Sequence, residues 1–246
     1  MTETPEICSI LEWDSDFFGF KIARVNGNRL EVNATSRILD WCRENGVRCL
    51  YFLADNDHPG TTCLAEKNGF HLTDMRVTFE RSLAGLGSGN PLGEATRPAL
   101  PQDIPALRKI AASSYHDSRF YFDDRFSRAA CDHLYETWIE NSMAGYAQAV
   151  LVAGLPGRPE GFITCHTKPE EHKGQIGLVG VDEAARGHGT GRTLVLESLH
   201  WFTGQGLERV QVVTQGRNIA AQRLYEKCGF LTVEIKNWYH RWFGEE

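Results

Sequence analysis

The sequence predicts an α/β protein built from two related halves. Three observations support this class: eight residues recur at a constant offset of 160 positions, apolar residues alternate between helical and strand spacing, and one apolar strand runs directly into a glycine-rich turn. In the first half the recurring residues are Leu39, Trp41, Gly46, Leu64, Glu66, Lys67, Gly69 and Phe70, and in the second Leu199, Trp201, Gly206, Leu224, Glu226, Lys227, Gly229 and Phe230.

Each copy of this pattern reads as helix, glycine turn, apolar strand, polar loop, helix and strand, which is typical of a βαβ-type unit. The stretch between the copies is rich in glycine and includes a proline, so it gives no sustained period. We therefore predict a smaller domain over 1–82, a linker over 83–95 and a second domain over 96–246. The first copy has Ala65 where the second has Tyr225, and it lacks the glycine-rich turn. We expect the first domain to be a degenerate copy.

Within the second half the elements are predicted in order from the same two periods. Apolar residues at helical spacing, followed by short β-branched runs between glycine and charged turns, indicate two helices and then an antiparallel meander. The predicted elements are helices over 103–115 and 127–142, strands over 149–153, 161–166 and 175–181, a helix over 193–202 and a strand over 210–214.

The composition limits the classes of partner. A chain of 246 residues with 41% hydrophobic content can bury a sizeable core, and a net charge of -6 argues against a protein that mainly neutralises nucleic-acid phosphates. The seven cysteines are scattered without a C-x-x-C pair, so we predict neither a disulfide framework nor a metal site.

The first six residues lack the basic and apolar regions of a signal peptide, and no apolar stretch reaches 18 residues. We therefore expect a cytoplasmic protein with no membrane partner. Its expected partner is a small molecule, with a homodimer left open.

The glycine-rich turn carries the first chemical signal. In Arg186-x-x-Gly189-x-Gly191 the glycines let the backbone approach a ligand closely, and the N–H groups of the helix that follows can bind an anion. The spacing does not fit G-x-G-x-x-G of a dinucleotide site, and a Walker loop would need Gly-Lys-Ser/Thr. The turn predicts a phosphate cradle.

Residues 186–192, followed by Asn218-x-x-Ala221-x-x-Leu224-Tyr225-x-x-x-Gly229-Phe230, resemble the two signature segments of the GNAT acetyltransferase superfamily. The resemblance implies an acetyl-CoA-dependent N-acetyltransferase with a mixed, mainly antiparallel sheet that is splayed between its fourth and fifth strands. It places the CoA pyrophosphate on the glycine turn and the pantetheine arm along the strand before it. The acetyl-CoA-binding residues implied are Leu178, Val179, Gly180, Val181, Arg186, Gly187, His188, Gly189, Thr190, Gly191, Arg192 and Asn218.

Tyr225 lies seven residues after Asn218, which brings the two within about 20° on one helix face. The resemblance implies that Tyr225 is the catalytic acid that protonates the departing CoA thiolate, and an ordinary phenol with a pKa of about 10 suits that task. Core packing is the alternative for a tyrosine on an amphipathic helix.

The identity of the general base, which accepts the amine proton, stays open. The strand over 174–181 contains no carboxylate, so the amine proton leaves through water or the amine binds neutral. The nearby candidates, each more typical of a solvated loop, are His166, Glu170, Glu171 and Asp182.

The segments 117–126, 134–142 and 11–19 resemble acetyltransferases that act on nucleotide-linked amino sugars. This resemblance implies an acceptor such as a TDP-linked 4-amino-4,6-dideoxyhexose. A guanidinium suits the phosphates and aromatic faces suit the sugar or thymine. Packing of the first two helices is the alternative for Phe120, Phe126 and Trp138. The predicted substrate-binding residues are Arg119, Tyr121, Tyr135 and Trp138.

Two other functions stay open. The segment 218–230 also resembles ribosomal-protein acetyltransferases, which favours a peptide or protein amino terminus as the acceptor. The missing strand carboxylate allows a CoA-binding module without catalysis.

Overall fold

A computed structural model describes residues 6–87 and 96–244. The chain divides into two compact units, of which unit 1 is Met1–Arg76 with Ile235–Glu246 and unit 2 is Val77–Glu234. This division differs from the predicted boundary over 83–95 in two ways. The last strand of the chain belongs mainly to unit 1, and the second half of the strand that precedes the predicted linker belongs to unit 2. Part of the predicted linker, 88–95, lies outside the described residues.

Unit 1 is a small α/β unit. In its sheet β2 pairs with β3 in parallel, whereas β1 with β2 and β10 with β3 pair antiparallel. Buried apolar side chains from β3, such as Leu50 and Phe52, pack with Tyr239 of β10 in its core. The elements of unit 1 are β1 Cys8–Ile10, α1 Glu12–Phe18, β2 Ile22–Val25, α2 Val32–Glu44, β3 Cys49–Asp55, α3 Pro59–Lys67, the start of β4 His71–Ser82 and most of β10 Leu231–Trp242.

Unit 2 has a larger mixed sheet in the order β4, β9, β8, β7, β6 and β5. The pairs β5–β6, β6–β7 and β7–β8 are antiparallel and β8–β9 is parallel, so the predicted meander and the α/β class are confirmed. Besides the end of β4, the start of β10 and short 3-10 turns, the elements of unit 2 are β5 Thr96–Pro98, α4 Ile104–Ser114, α5 Arg128–Asn141, a π-helical turn Ser142–Tyr146, β6 Ala149–Leu155, β7 Arg158–Lys168, β8 Lys173–Val181, α6 Thr190–Gly204, β9 Arg209–Gln215 and α7 Ile219–Lys227.

The internal repeat extends to whole elements. The bounds of β9, α7 and β10 equal those of β3, α3 and β4 after a shift of 160 positions. The helix starts also correspond, since the side chain of His58 accepts a hydrogen bond from the Thr61 N–H and that of Asn218 accepts one from the Ala221 N–H. Both halves therefore use the same local device to begin the helix that follows this strand.

All seven cysteines are free thiols, and six of them are buried. Among the helices of residues 6–87 and 96–244, none is both long enough and apolar enough to cross a lipid bilayer.

Candidate active site

The sheet of unit 2 opens between β8 and β9. These two strands pair only over Lys173–Ile176 and Arg209–Val212, although β8 continues to Val181 and β9 to Gln215. They are the fourth and fifth strands counted from β5, which is where the resemblance placed the splay. The remaining backbone edge of β8, over 177–181, faces the opening.

A β-bulge lies at the point where the strands separate. The register of β7 with β8 shifts between Ile163, which faces Val179, and Cys165, which faces Ile176. Within the bulge the Leu178 N–H donates to Oγ1 of Thr164 at 2.8 Å, so a buried hydroxyl replaces the missing strand partner. Bulges re-aim a strand locally, and this one is centred on Gly177 and Leu178.

The glycine turn follows β8 and leads into α6. Gly187 and Gly189 have φ angles of 81° and 92°, a region that other residues rarely adopt, which explains glycine at both positions. Gly189 is the N-cap of α6 and provides no capping side chain. The first N–H groups of α6 are therefore available for an anion.

The basic side chains of the turn lie at the surface. Arg186, His188 and Arg192 are exposed, and the Arg186 Nε donates to the Val181 carbonyl at 3.1 Å, which holds its side chain against the end of β8. These residues can add positive charge to the phosphate cradle. Thr190 begins α6, so the residues predicted for the pyrophosphate are contiguous in the structure.

The surroundings of Gly191 limit what can lie between β8 and α7. A Cβ atom at Gly191 would lie 3.4 Å from Leu224 of α7 and 3.6 Å from Val181 of β8, at ordinary contact distance. The free protein therefore has room for a methyl group here, whereas a ligand between β8 and α7 would compete for the same space.

We expect Gly191→Ala to keep or raise thermal stability, because alanine is favoured over glycine in a helix by up to about 1 kcal/mol. Acetyl-CoA affinity should nevertheless fall about tenfold, since the methyl group overpacks the ligand path. Titration calorimetry and thermal unfolding measure both effects. Gly204→Ala, at the open end of α6, is the matched control and should change stability without changing affinity.

The helix α7 presents Tyr225 to the interior. The Asn218 Oδ1 accepts from the Ala221 N–H at 2.9 Å and starts the helix, and Tyr225 is 5% exposed between Phe79 and Phe230, with ring centroids 5.9 and 5.8 Å away. Burial, followed by the nearby Cys228, raises the pKa of Tyr225 well above its ordinary value. The expected ordinary phenol pKa is thus wrong, and Tyr225 stays protonated over the physiological range.

A second tyrosine beside Tyr225 was not predicted as a site residue. Tyr115 follows α4 and stacks on Tyr135 with ring centroids 4.3 Å apart. Burial raises the pKa of Tyr115, and Tyr225 and Tyr135 raise it further, whereas the backbone of Val179 lowers it. In the sequence Tyr115 continues the helical spacing of the core residues, one turn after Ala111. No sequence signal therefore distinguishes it from a residue that only packs in the core.

The predicted substrate-binding aromatics form one cluster. The rings of Tyr135 and Trp138 lie 5.2 Å apart and those of Tyr121 and Tyr135 lie 6.4 Å apart. Tyr135 is only 4% exposed, so its ring is covered by the protein itself, and Tyr121 donates its hydroxyl to Asp132. Of this aromatic set, Tyr121 and Trp138 keep partial exposure.

Arg119 lies next to this cluster, with its guanidinium 4.3 Å from the centre of the Phe120 ring. Phe120 and Phe126 are buried and contact each other edge to face, which supports the packing alternative for both. The surrounding segment also touches the loop before α7, because Arg217 donates to the Asp117 carbonyl and lies 3.6 Å from the centre of the Phe122 ring. The predicted substrate segment therefore adjoins the start of α7.

Two of the three nearby carboxylates have other partners. Asp182 accepts a hydrogen bond from the Ala184 N–H, and Glu171 pairs with Lys173, which lowers the pKa of Glu171. Glu170 and Glu171 are both exposed in the turn before β8. These contacts and this exposure do not identify any of the three carboxylates as the general base.

Comparisons with known proteins identify the family and the fold. The profile of the Acetyltransferase (GNAT) family matches residues 106–230. A GCN5-related N-acetyltransferase structure from Sphaerobacter thermophilus superposes with a TM-score of 0.65 over 97% of this chain and 78% of that one. At 15% identity it shows the fold alone.

Two curated relatives are acetyltransferases named for different compounds. A dTDP-fucosamine acetyltransferase from Escherichia coli is 25% identical over 94% of this chain and 96% of its own length. A mycothiol acetyltransferase from Kineococcus radiotolerans is 29% identical over 75% of this chain, which spans only 59% of that relative. The family profile matches more than half of the residues of this chain, and the matched range includes both signature segments. The chain therefore belongs to the acetyltransferase (GNAT) family.

Proposed function

We propose that the protein transfers the acetyl group of acetyl-CoA to the amine of a nucleotide-linked amino sugar. The observation that carries this proposal is the opening between β8 and β9, which leads from the bulge at Gly177 to the glycine turn. In this reading the turn binds the pyrophosphate through the first N–H groups of α6 and the side chains of Arg186, His188 and Arg192. The free edge of β8, over 178–181, pairs with the amides of the pantetheine arm.

The reaction is a direct attack of the amine on the thioester carbon. A C–N bond forms, the C–S bond breaks, and the CoA thiolate takes the hydroxyl proton of Tyr225. The amine proton leaves through water, which also restores the proton of Tyr225. A buried phenol is a weak acid, but it is always protonated at neutral pH and lies in a desolvated site where the thiolate is strongly basic. Asn218 acts indirectly by starting the helix that carries Tyr225.

The acceptor is proposed from the relative that aligns along nearly the full length of both chains, the dTDP-fucosamine acetyltransferase. Arg119 and the aromatic cluster beside α5 supply a cation and two partly exposed rings, Tyr121 and Trp138. This combination suits a phosphate-bearing sugar. The specific acceptor is then a TDP-linked 4-amino-4,6-dideoxyhexose.

A panel of amines tests the proposal. Purified protein with acetyl-CoA should release CoA and give an acetylated product of the expected mass with TDP-4-amino-4,6-dideoxyhexoses. The panel includes the mycothiol precursor, because the first mycothiol relative is 29% identical over three quarters of this chain, and ribosomal peptides with free amino termini. If only the mycothiol precursor or only a ribosomal peptide is acetylated, that amine replaces the nucleotide sugar as the proposed acceptor. Acetyl-CoA binding without any turnover would favour the non-catalytic module.

Arg119→Ala should raise the KM for the nucleotide sugar about tenfold or more, because a charge-assisted hydrogen bond to phosphate contributes about 1.5 to 3 kcal/mol. The KM for acetyl-CoA should not change. Steady-state kinetics with each substrate varied separately makes the distinction. Arg37→Ala, an exposed arginine of α2 in unit 1, is the matched control. An equal rise in both KM values would contradict a role in acceptor binding.

A further inference from the structure

His166 lies directly over the bulge. A Cβ atom on Gly177 would be 2.6 Å from Nε2 of His166 and 2.7 Å from Oγ1 of Thr164, so only glycine lets the imidazole approach the strand this closely. Nε2 is 3.5 Å from that Thr164 oxygen, which also receives the Leu178 N–H. Gly177 is exposed although it lies within β8. The imidazole therefore borders an open stretch of strand.

This place coincides with the reacting end of the proposed ligand. If the pyrophosphate binds at the turn after Val181, the pantetheine arm runs back along β8 toward the vertex of the opening. The four residues from Val181 to Gly177 span about 13 Å at 3.3 Å per residue. The thioester at the end of the arm then reaches the neighbourhood of Gly177, where the pairing with β9 begins again at Ile176.

His166 and Tyr225 occupy opposite faces of the sheet. Along β7, Ile163 and Cys165 pack in the same apolar cluster as Tyr225, and side chains alternate between faces along a strand. Thr164 and His166 therefore point to the other face, which α4 covers near Phe162. An amine that enters on this face meets His166, while the thiolate leaves toward Tyr225.

The environment keeps the imidazole neutral. Burial lowers the pKa of His166 below its ordinary 6.5, while a hydrogen bond to the backbone of Tyr146 raises it in part. That bond to the carbonyl needs a ring N–H, which leaves the other nitrogen as an acceptor. The groups that face the ring are Tyr146, whose ring centroid is 5.4 Å away, Thr164 and, in register on β8, Gln175. Tyr146 is the titratable one among these.

Building on the proposed function, we propose that His166 is the general base of the acetyl transfer. Nε2 takes one proton from the acceptor ammonium, the neutral amine attacks the thioester carbon, and the imidazolium returns its proton to solvent. As the C–N bond forms and the C–S bond breaks, Tyr225 gives its proton to the thiolate, and the second amine proton, carried by solvent, restores the hydroxyl of Tyr225. One proton is released in total, as the conversion of an ammonium and a thioester into an amide and a thiol requires.

The test is the pH profile of kcat/KM for wild type and His166→Gln. At pH 7 the variant should lose about 100-fold. The wild-type profile should fall only below pH 6.5, where the imidazole becomes protonated, whereas the variant profile should fall below the higher pKa of the acceptor amine. Above that pKa the two should converge, and added imidazole should restore part of the loss at pH 7. His166→Asn repeats the test if the first variant is unstable.

His200→Gln on α6 is the matched control and should keep the wild-type profile. Titration calorimetry should give unchanged acetyl-CoA affinity for His166→Gln, which separates loss of the base from a disturbed bulge. A variant with the wild-type acid limb, or a loss that is equal at every pH, would overturn the role of His166 while leaving the proposed function intact. Absence of turnover by wild type with every amine would overturn both.

Discussion

Replacing Tyr225 by phenylalanine is expected to lower kcat about 100-fold or more while acetyl-CoA affinity stays unchanged. General acid catalysis contributes about 10² to 10⁴ in rate, and phenylalanine retains the ring that packs between Phe79 and Phe230. Stopped-flow or steady-state CoA release measures the rate, and calorimetry measures the affinity. A fall in affinity parallel to the fall in rate would assign Tyr225 to packing of the cleft.

Tyr239→Phe is the matched control for this substitution. Tyr239 is 2% exposed on β10 in unit 1, and burial raises its pKa as it does for Tyr225. The control should leave kcat unchanged. Because the pKa of Tyr225 is raised above its ordinary value of 10, its deprotonation should cause no alkaline loss of kcat below about pH 10. An alkaline limb near pH 8 that disappears in Tyr225→Phe would contradict this assignment.

Asp103→Asn should lower the free energy of unfolding by about 3 kcal/mol, because it leaves Arg97 without its charge partner. Asp103 is fully buried and forms two bonds with Arg97, of 2.7 and 2.9 Å. Its carboxylate also accepts from the backbone N–H groups of Leu100 and Gly157. An amide cannot accept at all four positions. Chemical denaturation followed by circular dichroism measures the loss.

The pH dependence gives an independent check. Arg97, followed in effect by the two backbone N–H groups, lowers the pKa of Asp103 from 3.8 to about 2. The carboxylate therefore contributes its full stabilisation, about 2 kcal/mol, above pH 4 and loses it as the pH falls toward 2. The variant should lack this part of the acid dependence. Asp40→Asn, which breaks an exposed pair with Arg43, should cost less than about 1 kcal/mol.

Local patterns predicted much of this molecule. The repeat at 160 positions corresponds to matching strands and helices, and the helix predicted from Ser127 begins after that residue, whose hydroxyl accepts the Ala130 N–H. The glycine turn was recognisable because its conformation restricts the residue type at Gly187 and Gly189. In each case a short segment carries its own physical reason.

Long-range contacts were not predictable in the same way. The pairing of β10 with β3 joins residues nearly 200 positions apart, and nothing local in either strand specifies the partner. The close approach of His166 to Gly177 depends on a register shift between β7 and β8, which sequence alternation does not reveal. Tyr135 was expected to face a sugar, but Tyr115 covers its ring.

The placement of β10 in unit 1 has a consequence for synthesis on the ribosome. Unit 2 is continuous from Val77 to Glu234, so all of its strands and helices have been translated before Ile235 is added. Unit 1 holds the residues before Val77, yet β3 acquires its second strand partner, β10, only after unit 2 has been translated. Domains generally fold as they emerge, amino-terminal domain first. Here the sheet of unit 1 cannot be completed until unit 2 has been translated.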